Sequence, residues 1–463
     1  MQQVAQIGER RELFVDRFLI AEMRDARLEL SRPERREAVF VADAPWEYNA
    51  VFALSVFHDG GSVRLYYHAA TPDPVKEEQI IALAESTDGG FTFERRDLGL
   101  VEFRGSKCNN ILAVGGPPHV PPAFRDTNPN CKPEERYKGL SSTWRTLYAM
   151  CSADGLRWRP MRAEPIEMEG TFDTVNTAFW DALSGCYRCF TRFFESVPAQ
   201  ETEAEEPTVT PTSVRRIQSS LSTDFINWSR PIPHQYNDQQ TLTHLYTNAT
   251  LPCPGAEHIY LAFPNRFAET RVTNPNHPDA GCNDALFMAS RDCVHWTRYL
   301  DAWVRPGLDQ RNWTERNNYP IWGIVQSSPN EWSMYISEHY RQSDVPGRLR
   351  RLAIRPHGFV SVRAGYGGGE MVTRPLTFGG RQLRLNYSTS AAGSLRVEIQ
   401  DEGGRPLAGY SLDDMPPLFG DELDRAIAWR SGGDLAKLIG RPVRLRFRLK
   451  DADIFAFRTA TPS

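Results

Sequence analysis

Short runs in which apolar and polar residues alternate follow one another along the chain, most of them closed by Gly, Pro, Asn, Asp or Ser. A period of two is the pattern of a half-buried β-strand. The runs come in sets of four: a short apolar strand, a strand rich in Tyr and Phe, a third that ends in Ser-x-Asp, and a fourth that starts at an aromatic. ATLPCP, HIYLAFP, ALFMAS and VHWTRYL make one set; TAFWDA, CYRCFTRFF, RIQSSLS and INWSRP make another. Four strands of this kind, separated by turn residues, predict one blade of a β-propeller.

The sets repeat. STDGGFTF, SADGLRW, STDFINW and SRDCVHW place Asp88, Asp154, Asp224 and Asp292 at nearly equal intervals, and a degraded copy, Arg-Pro-His357-Gly-Phe359, follows at a similar spacing with His in the Asp position. The Asp of such a turn can accept backbone N–H bonds from its own turn while the aromatic packs between blades. The turn resembles the Asp-box of sialidases and other propellers. That resemblance implies a place between third and fourth strands, away from the active face, and a role in folding. A second repeat sets Asn49, Asn110, Asn176, Asn248 and Asn318 just before the first strand of each unit, again at similar intervals. First strands line the channel of a propeller, so these amides are expected to tie neighbouring blades together or to grip sugar hydroxyls near its mouth.

The repeat stops near residue 362, and a Gly-rich hinge, Ala364 to Gly369, leads into strands such as LRLNYSTS, SLRVEIQD and VRLRFRLKD. The expected fold is therefore all-β: a five-bladed β-propeller over residues 1–362, then a β-sandwich over residues 370–463. An acidic Pro/Thr stretch, Val197 to Ser213, reads as a loop within the third blade.

Composition narrows the partners. The 463 residues carry 54 Lys+Arg against 58 Asp+Glu, with no long run of one sign to attract phosphate backbones or anionic lipid, so neither nucleic acid nor a membrane is expected. Charges interrupt the apolar stretches of MQQVAQIGERRELFVDRFLIAEM before signal-peptide length, and the eight scattered cysteines read as reduced. Both point to the cytoplasm. Cys186-Tyr-Arg-Cys189 has no second Cys or His pair to complete a zinc site, so no metal and no cofactor is expected, although scattered oxygen ligands could hold a calcium on a propeller axis. Oligomeric state stays open.

Loops between fourth and first strands, and between second and third, meet at the channel mouth of a propeller, and ligand groups belong there. Glu47, Asp173, Arg192, Glu195, Arg266, Asp284, Arg316, Glu338 and His339 fall at those points, with Trp46, Tyr67, Tyr246, Trp322 and Tyr340 as flat surfaces for sugar rings. Two carboxylates across a glycosidic bond are the minimum for its hydrolysis. The leading expectation is a glycoside hydrolase with Asp173 as base or nucleophile, Glu338 as proton donor and Glu47 as third carboxylate. Substrate would be bound by Trp46, Asn110, Asn176, Arg192, Tyr246, Asn248, Arg266, Asp284, Asn318 and His339.

FVDRFLI, DAPWE, HLYTN, RNNYP and SEHY, with blades followed by a sandwich, resemble bacterial propeller proteins described as like glycoside hydrolase families 32 and 43. The resemblance implies a five-bladed glycosidase fold with three acidic residues around the axis. The chain lacks the Asn-Asp-Pro-Asn-Gly, Arg-Asp-Pro and Glu-Cys motifs of true family 32, which argues against fructosides. The alternatives are a carbohydrate-binding propeller without catalysis, a phosphorylase, and a sialidase-like enzyme. The last would use Arg192, Arg266 and Arg316 to clamp a carboxylate, but requires six blades.

Overall fold

The structure, a computed structural model, describes residues 4–47, 51–70, 79–116, 120–173, 175–196, 213–238 and 241–461. The chain is all-β; among the described residues the only helices are three short 3-10 turns. It divides into two units, one of residues 33–252 and 257–354, the other of residues 1–32, 253–256 and 355–463.

The first unit is a propeller-like arrangement of blades. Its first sheet joins Phe52–Asp59, Ser62–Ala70, Gln79–Ser86 and Ile111–Val114; its second joins Ala123–Arg125, Tyr137–Ser142, Leu147–Ser152 and Arg159–Pro160; its third joins Thr177–Asp181, Cys186–Ser196, Ser213–Ser222 and Ile232–Pro233. A seven-stranded sheet follows, built on Leu251–Cys253, Ala256–Ala262, Cys282–Ser290 and His295–Val304. The closing sheet joins Val325–Ser328, Glu331–Glu338 and Arg348–Ile354 to Glu34–Val41, the first strand of this unit.

Each Ser-x-Asp turn is held in the same way. In the first, Asp88 accepts from the backbone N–H groups of Phe91 and Thr92 at 2.9 and 3.1 Å and from Ser86 Oγ at 2.7 Å. Asp154, Asp224 and Asp292 each accept from two backbone N–H groups of their own turns and from the serine two residues before. The turns also join sheets. Tyr66 donates to Gly155 O at 2.9 Å, and Tyr335 to Gly90 O at 2.8 Å. A Cβ on Gly90 would lie 2.1 Å from the Tyr335 hydroxyl, so only glycine permits this approach.

A further repeat does not stand out from the spacing of residues. Tyr137, Tyr187 and Tyr260, on the second strands of three successive sheets, donate to Asp59, Asp126 and Asp181 at the first strand of the preceding sheet, at 2.8, 2.6 and 2.6 Å. Each is a charge-assisted bond across a sheet interface. Trp322 fills the centre. It lies buried with Nε1 donating to Thr250 O at 2.8 Å, its carbonyl accepting from Val56 N at 2.9 Å, and its ring 6.2 Å from Phe124.

The second unit has its own apolar core, in which Ile7, Phe14 and Leu19 pack with Met371, Leu385, Val397, Phe447 and Ile454. An eight-stranded sheet runs Ile20–Arg24, Gly369–Thr373, Arg444–Ala460, Val360–Ala364 and Ala26–Leu30, with Gln382–Gln400 paired along much of Arg444–Ala460.

Several expectations are corrected. The segment Met1–Arg32 belongs with the C-terminal unit and not with the propeller, because FVDRFLI and its neighbours bury their apolar side in that core. The last blade does not take its fourth strand after Phe359. That edge is occupied by Glu34–Val41, and the turn at His357 leads instead to Val360–Ala364 of the other unit. Asn110 precedes the fourth strand of the first sheet, not a first strand, and INWSRP is a turn whose strand begins at Ile232. Asn49 and residues 197–212 lie outside the described residues. All eight cysteines are free.

His234, between the third sheet and the seven-stranded one, stacks on Trp296 at 4.9 Å, and neither ring nitrogen has a hydrogen-bond partner among the described residues. Burial pulls its pKa from 6.5 to about 3. The unfolded chain therefore binds more protons between those values, and stability falls as the pH is lowered through that window. Replacing His234 with Phe should make the loss of stability between pH 6.5 and 4.5 smaller by about 2 kcal/mol, at roughly 1.4 kcal/mol per pH unit. Urea unfolding of both proteins at the two pH values checks this; equal losses would contradict it.

Candidate functional site

A cavity of about 620 Å³ opens in the propeller unit and takes side chains from every sheet around the centre. The first sheet supplies Phe52, His68, Gln79 and Ile81; the second supplies Leu140 and the run Ser141 to Trp144; Asp173 and Val175 lead into the third. Tyr246 follows His244–Leu245 of the seven-stranded sheet, Arg316 and Tyr319 come from the segment before Val325–Ser328 of the closing sheet, and Arg341 from the loop between Glu331–Glu338 and Arg348–Ile354. The volume suits a small glycan or another polar ligand.

Of the three carboxylates expected to react, one is on this wall. Asp173 is partly exposed and accepts a hydrogen bond from Arg192 Nη2. The Arg192 side chain is only 3 % exposed, its Nε and Nη1 have no partner among the described residues, and burial pulls its guanidinium below its ordinary pKa. The rings of Trp144, Phe194 and Tyr246 surround it at 5.8, 5.4 and 5.1 Å. An arginine packed among rings has few ways to move, so it holds Asp173 in one orientation.

Glu338 is elsewhere. It is fully buried, with Oε1 accepting from Arg35 Nη1 at 2.6 Å and Arg350 Nε at 2.8 Å, and Oε2 accepting from Arg348 Nε at 2.7 Å. Glu47 is likewise buried, accepting from Tyr67 Oη and Arg95 Nε at 2.6 Å each and from the backbone of Ala44 at 3.0 Å. Neither lines the cavity, and the three carboxylates are not brought together there.

Of the expected binding residues, Tyr246 lines the cavity, Arg192 stands one bond behind its wall, and Asn176 donates to Ser142 Oγ on that wall at 3.1 Å. Asn248 ties two sheets, with Oδ1 accepting from Thr177 Oγ1 at 2.6 Å, and Asn318 does so with Nδ2 donating to Asn283 O at 2.9 Å. Asn110 accepts from Trp46 Nε1 at 2.9 Å and donates to Tyr67 Oη at 2.7 Å. Arg266 is paired with Asp284, its Nε donating at 2.8 Å, and His339 with Asp309 at 2.7 Å. These residues brace the sheets and do not face the cavity.

Trp144 and Arg341 are the residues the sequence analysis passed over. Trp144 sits in the hairpin between Tyr137–Ser142 and Leu147–Ser152, the class of loop expected to carry ligand groups, and the residue is 49 % exposed. Arg341 follows SEHY. The strand ends at Glu338, and His339 and Arg341 adopt φ of 62° and 53°, so the alternation of the strand no longer decides which side chain reaches the cavity. Behind Arg316, Glu315 Oε1 accepts from its Nε at 3.2 Å; the other oxygen is buried without a partner among the described residues, and burial pushes this carboxyl up from its ordinary range. Among the described residues no group of three or more His, Cys, Asp or Glu is placed to hold a metal ion.

Fold and site together define an all-β, propeller-type protein with a polar, aromatic cavity at its centre. No family model matches the chain, and no curated protein matches it. Among solved structures it is similar to a glycosyl hydrolase from Bacteroides ovatus, at 14 % identity and a TM-score of 0.42, covering 71 % of this chain and 94 % of that one. It is similar as well to an N-acetylgalactosamine deacetylase from F. plautii in complex with blood group B trisaccharide, at 12 % identity and a TM-score of 0.42, over 71 % and 95 %. A β-1,2-mannobiose phosphorylase from Listeria innocua matches at 12 % identity and a TM-score of 0.42, over 69 % and 96 %.

Removing one partner of a buried ion cluster leaves the remaining charges uncompensated, at a cost of about 3–5 kcal/mol. Glu338→Gln should therefore lower the thermal midpoint sharply, as scanning calorimetry would register. An unchanged midpoint would contradict it.

Proposed function

We propose that the propeller unit is a carbohydrate-active enzyme of the glycosidase type, which holds a glycan in the central cavity and uses Asp173 as its reacting carboxylate. The observation that carries this reading is the pairing of an accessible carboxylate, held by a buried arginine, with a half-exposed tryptophan on the same wall. An ionised carboxylate can act as base or nucleophile at an anomeric carbon, and an aromatic face can pack against a sugar ring.

The scaffold is read as five blades, the seven-stranded sheet counting as the fourth: four of its strands follow the common up-and-down order, Gln235–Tyr236 adds to its edge beside His295–Val304, and Asn265–Ala268 continues Ala256–Ala262 along Cys282–Ser290 and pairs with His244–Leu245. The C-terminal unit is read as a β-sandwich. Buried residues alternate along both halves of Gln382–Gln400, at Leu383, Leu385 and Tyr387 and again at Leu395, Val397 and Ile399, with a shift of register between Thr389 and Ser394 where the strand can turn from one layer to the other.

A second reading, a glycan-binding propeller without catalysis, is favoured by one fact: Asp173 is the only carboxylate among the described residues that line the cavity. Turnover separates the two. Asp173→Asn should lower kcat on the responsive member of a panel of aryl glycosides and oligosaccharides by about 10²-fold or more, with glycan binding retained. Tight binding by the wild-type chain with no product after long incubation would leave the binding reading in its place. Trp144→Ala should weaken glycan affinity by about tenfold, the scale of truncating an aromatic anchor, as titration calorimetry would record; unchanged affinity would remove Trp144 from the site.

A further inference from the structure

Buried tyrosines of the propeller unit use their hydroxyls as ties. Those of Tyr66, Tyr137, Tyr187, Tyr260 and Tyr335 each donate across a sheet interface to a carbonyl or a carboxylate. Tyr319 does not. It lines the cavity, the residue is only 6 % exposed, and its hydroxyl has no hydrogen-bond partner among the described residues. Tyr236 also lacks a partner there, but it is not part of the cavity wall.

The backbone that carries Tyr319 is fixed on both sides. Asn318, at a φ of 59°, donates its backbone N–H to Ser337 O at 2.8 Å and its amide to Asn283 O and Asn312 O at 2.9 and 3.0 Å. A non-glycine residue keeps such a conformation only where its surroundings impose it. Tyr319 O accepts from Ser337 N at 3.2 Å, and Pro320 bridges to Ile336. The Tyr319 ring packs 5.7 Å from that of Tyr246, which is itself 5.1 Å from the Arg192 guanidinium that holds Asp173. The phenol is therefore set firmly near the reacting carboxylate with its polar end unspent. Phenylalanine would fill the same space without a buried hydroxyl to satisfy, so what the hydroxyl adds at this place is a donor for a ligand.

We propose, resting on the reading that the cavity holds a glycan, that Tyr319 is a specificity-determining residue whose hydroxyl donates to one hydroxyl oxygen of the sugar bound beside Asp173. One position of the sugar is read by this bond. A sugar without an oxygen at that position leaves the phenol unanswered and is bound less tightly.

The test titrates the full chain calorimetrically with methyl glucoside, methyl galactoside, methyl mannoside, xylobiose and cellobiose, and then takes the monodeoxy analogues of the member that binds into wild type and Tyr319→Phe. The variant should bind that member about tenfold more weakly. One monodeoxy analogue should lose a similar factor on the wild-type chain and lose nothing further in the variant, where the bond is already gone. The thermal midpoint of Tyr319→Phe should equal or exceed that of wild type, since the hydroxyl ties no other part of the fold. A lowered midpoint, or a variant that does not fold, would make the hydroxyl a structural tie and overturn the assignment. Equal affinity in the two chains, or losses that simply add for every analogue, would overturn it too, and in each of these cases the glycan reading stands. Binding of none of the five sugars to the wild-type chain would overturn both.

Discussion

A propeller is a ring of sheets, and nothing along the chain joins its last sheet to its first. Here that join is made by Glu34–Val41, which completes the closing sheet beside Arg348–Ile354. Hydrogen bonds between the strands set the register, and Glu338 anchors one end of it, binding Arg35 of the incoming strand and Arg348 and Arg350 of its partner. Arg35 also donates to Asn318 Oδ1 at 2.9 Å and to Arg305 O at 2.6 Å, so one side chain links the closing strand to three other segments. Three guanidinium groups around one carboxylate can be stable in a buried place because both oxygens are saturated with donors.

Closure makes the cavity. Trp322 meets Val56, Phe124 and Thr250 and so ties three sheets of this unit together. The space that remains is lined by residues from each sheet, and no single blade could hold a ligand by itself. The acidic side chains divide accordingly. Glu47 and Glu338 are saturated by arginine and tyrosine inside the walls, whereas Asp173 keeps an open side toward the cavity. A carboxylate whose lone pairs are all engaged by fixed donors is a structural tie, and one engaged from behind is free to meet a substrate.

Much of the scaffold was legible along the chain. The Ser-x-Asp turns were readable because their bonds run between residues two to four apart, so the local residues are sufficient to form them. The first three strands of the third sheet and four strands of the seven-stranded one were readable from their alternation, as was the all-β class. The N-terminal residues were misplaced because the same alternation serves a strand in either unit, and only the core around Phe14 and Met371 selects between them. The tyrosine–aspartate ties between sheets escaped notice because their partners are 61 to 79 residues apart and at unequal intervals.

For the site, the sequence named Asp173 and Tyr246, which line the cavity, and Arg192, which is bonded to Asp173 from within the strand Cys186–Ser196. It also named Glu338 and Glu47. What separated these from Asp173 was the identity of the cations that reach them, and Arg35 lies 303 residues from Glu338 along the chain. Local patterning therefore determined the turns, the strands and the face on which chemistry is to be sought. The tertiary structure alone decided which carboxylate is spent on an ion pair and which looks into the cavity, because an ion pair is a property of distance in space, and a period of two carries no information about a partner hundreds of residues away.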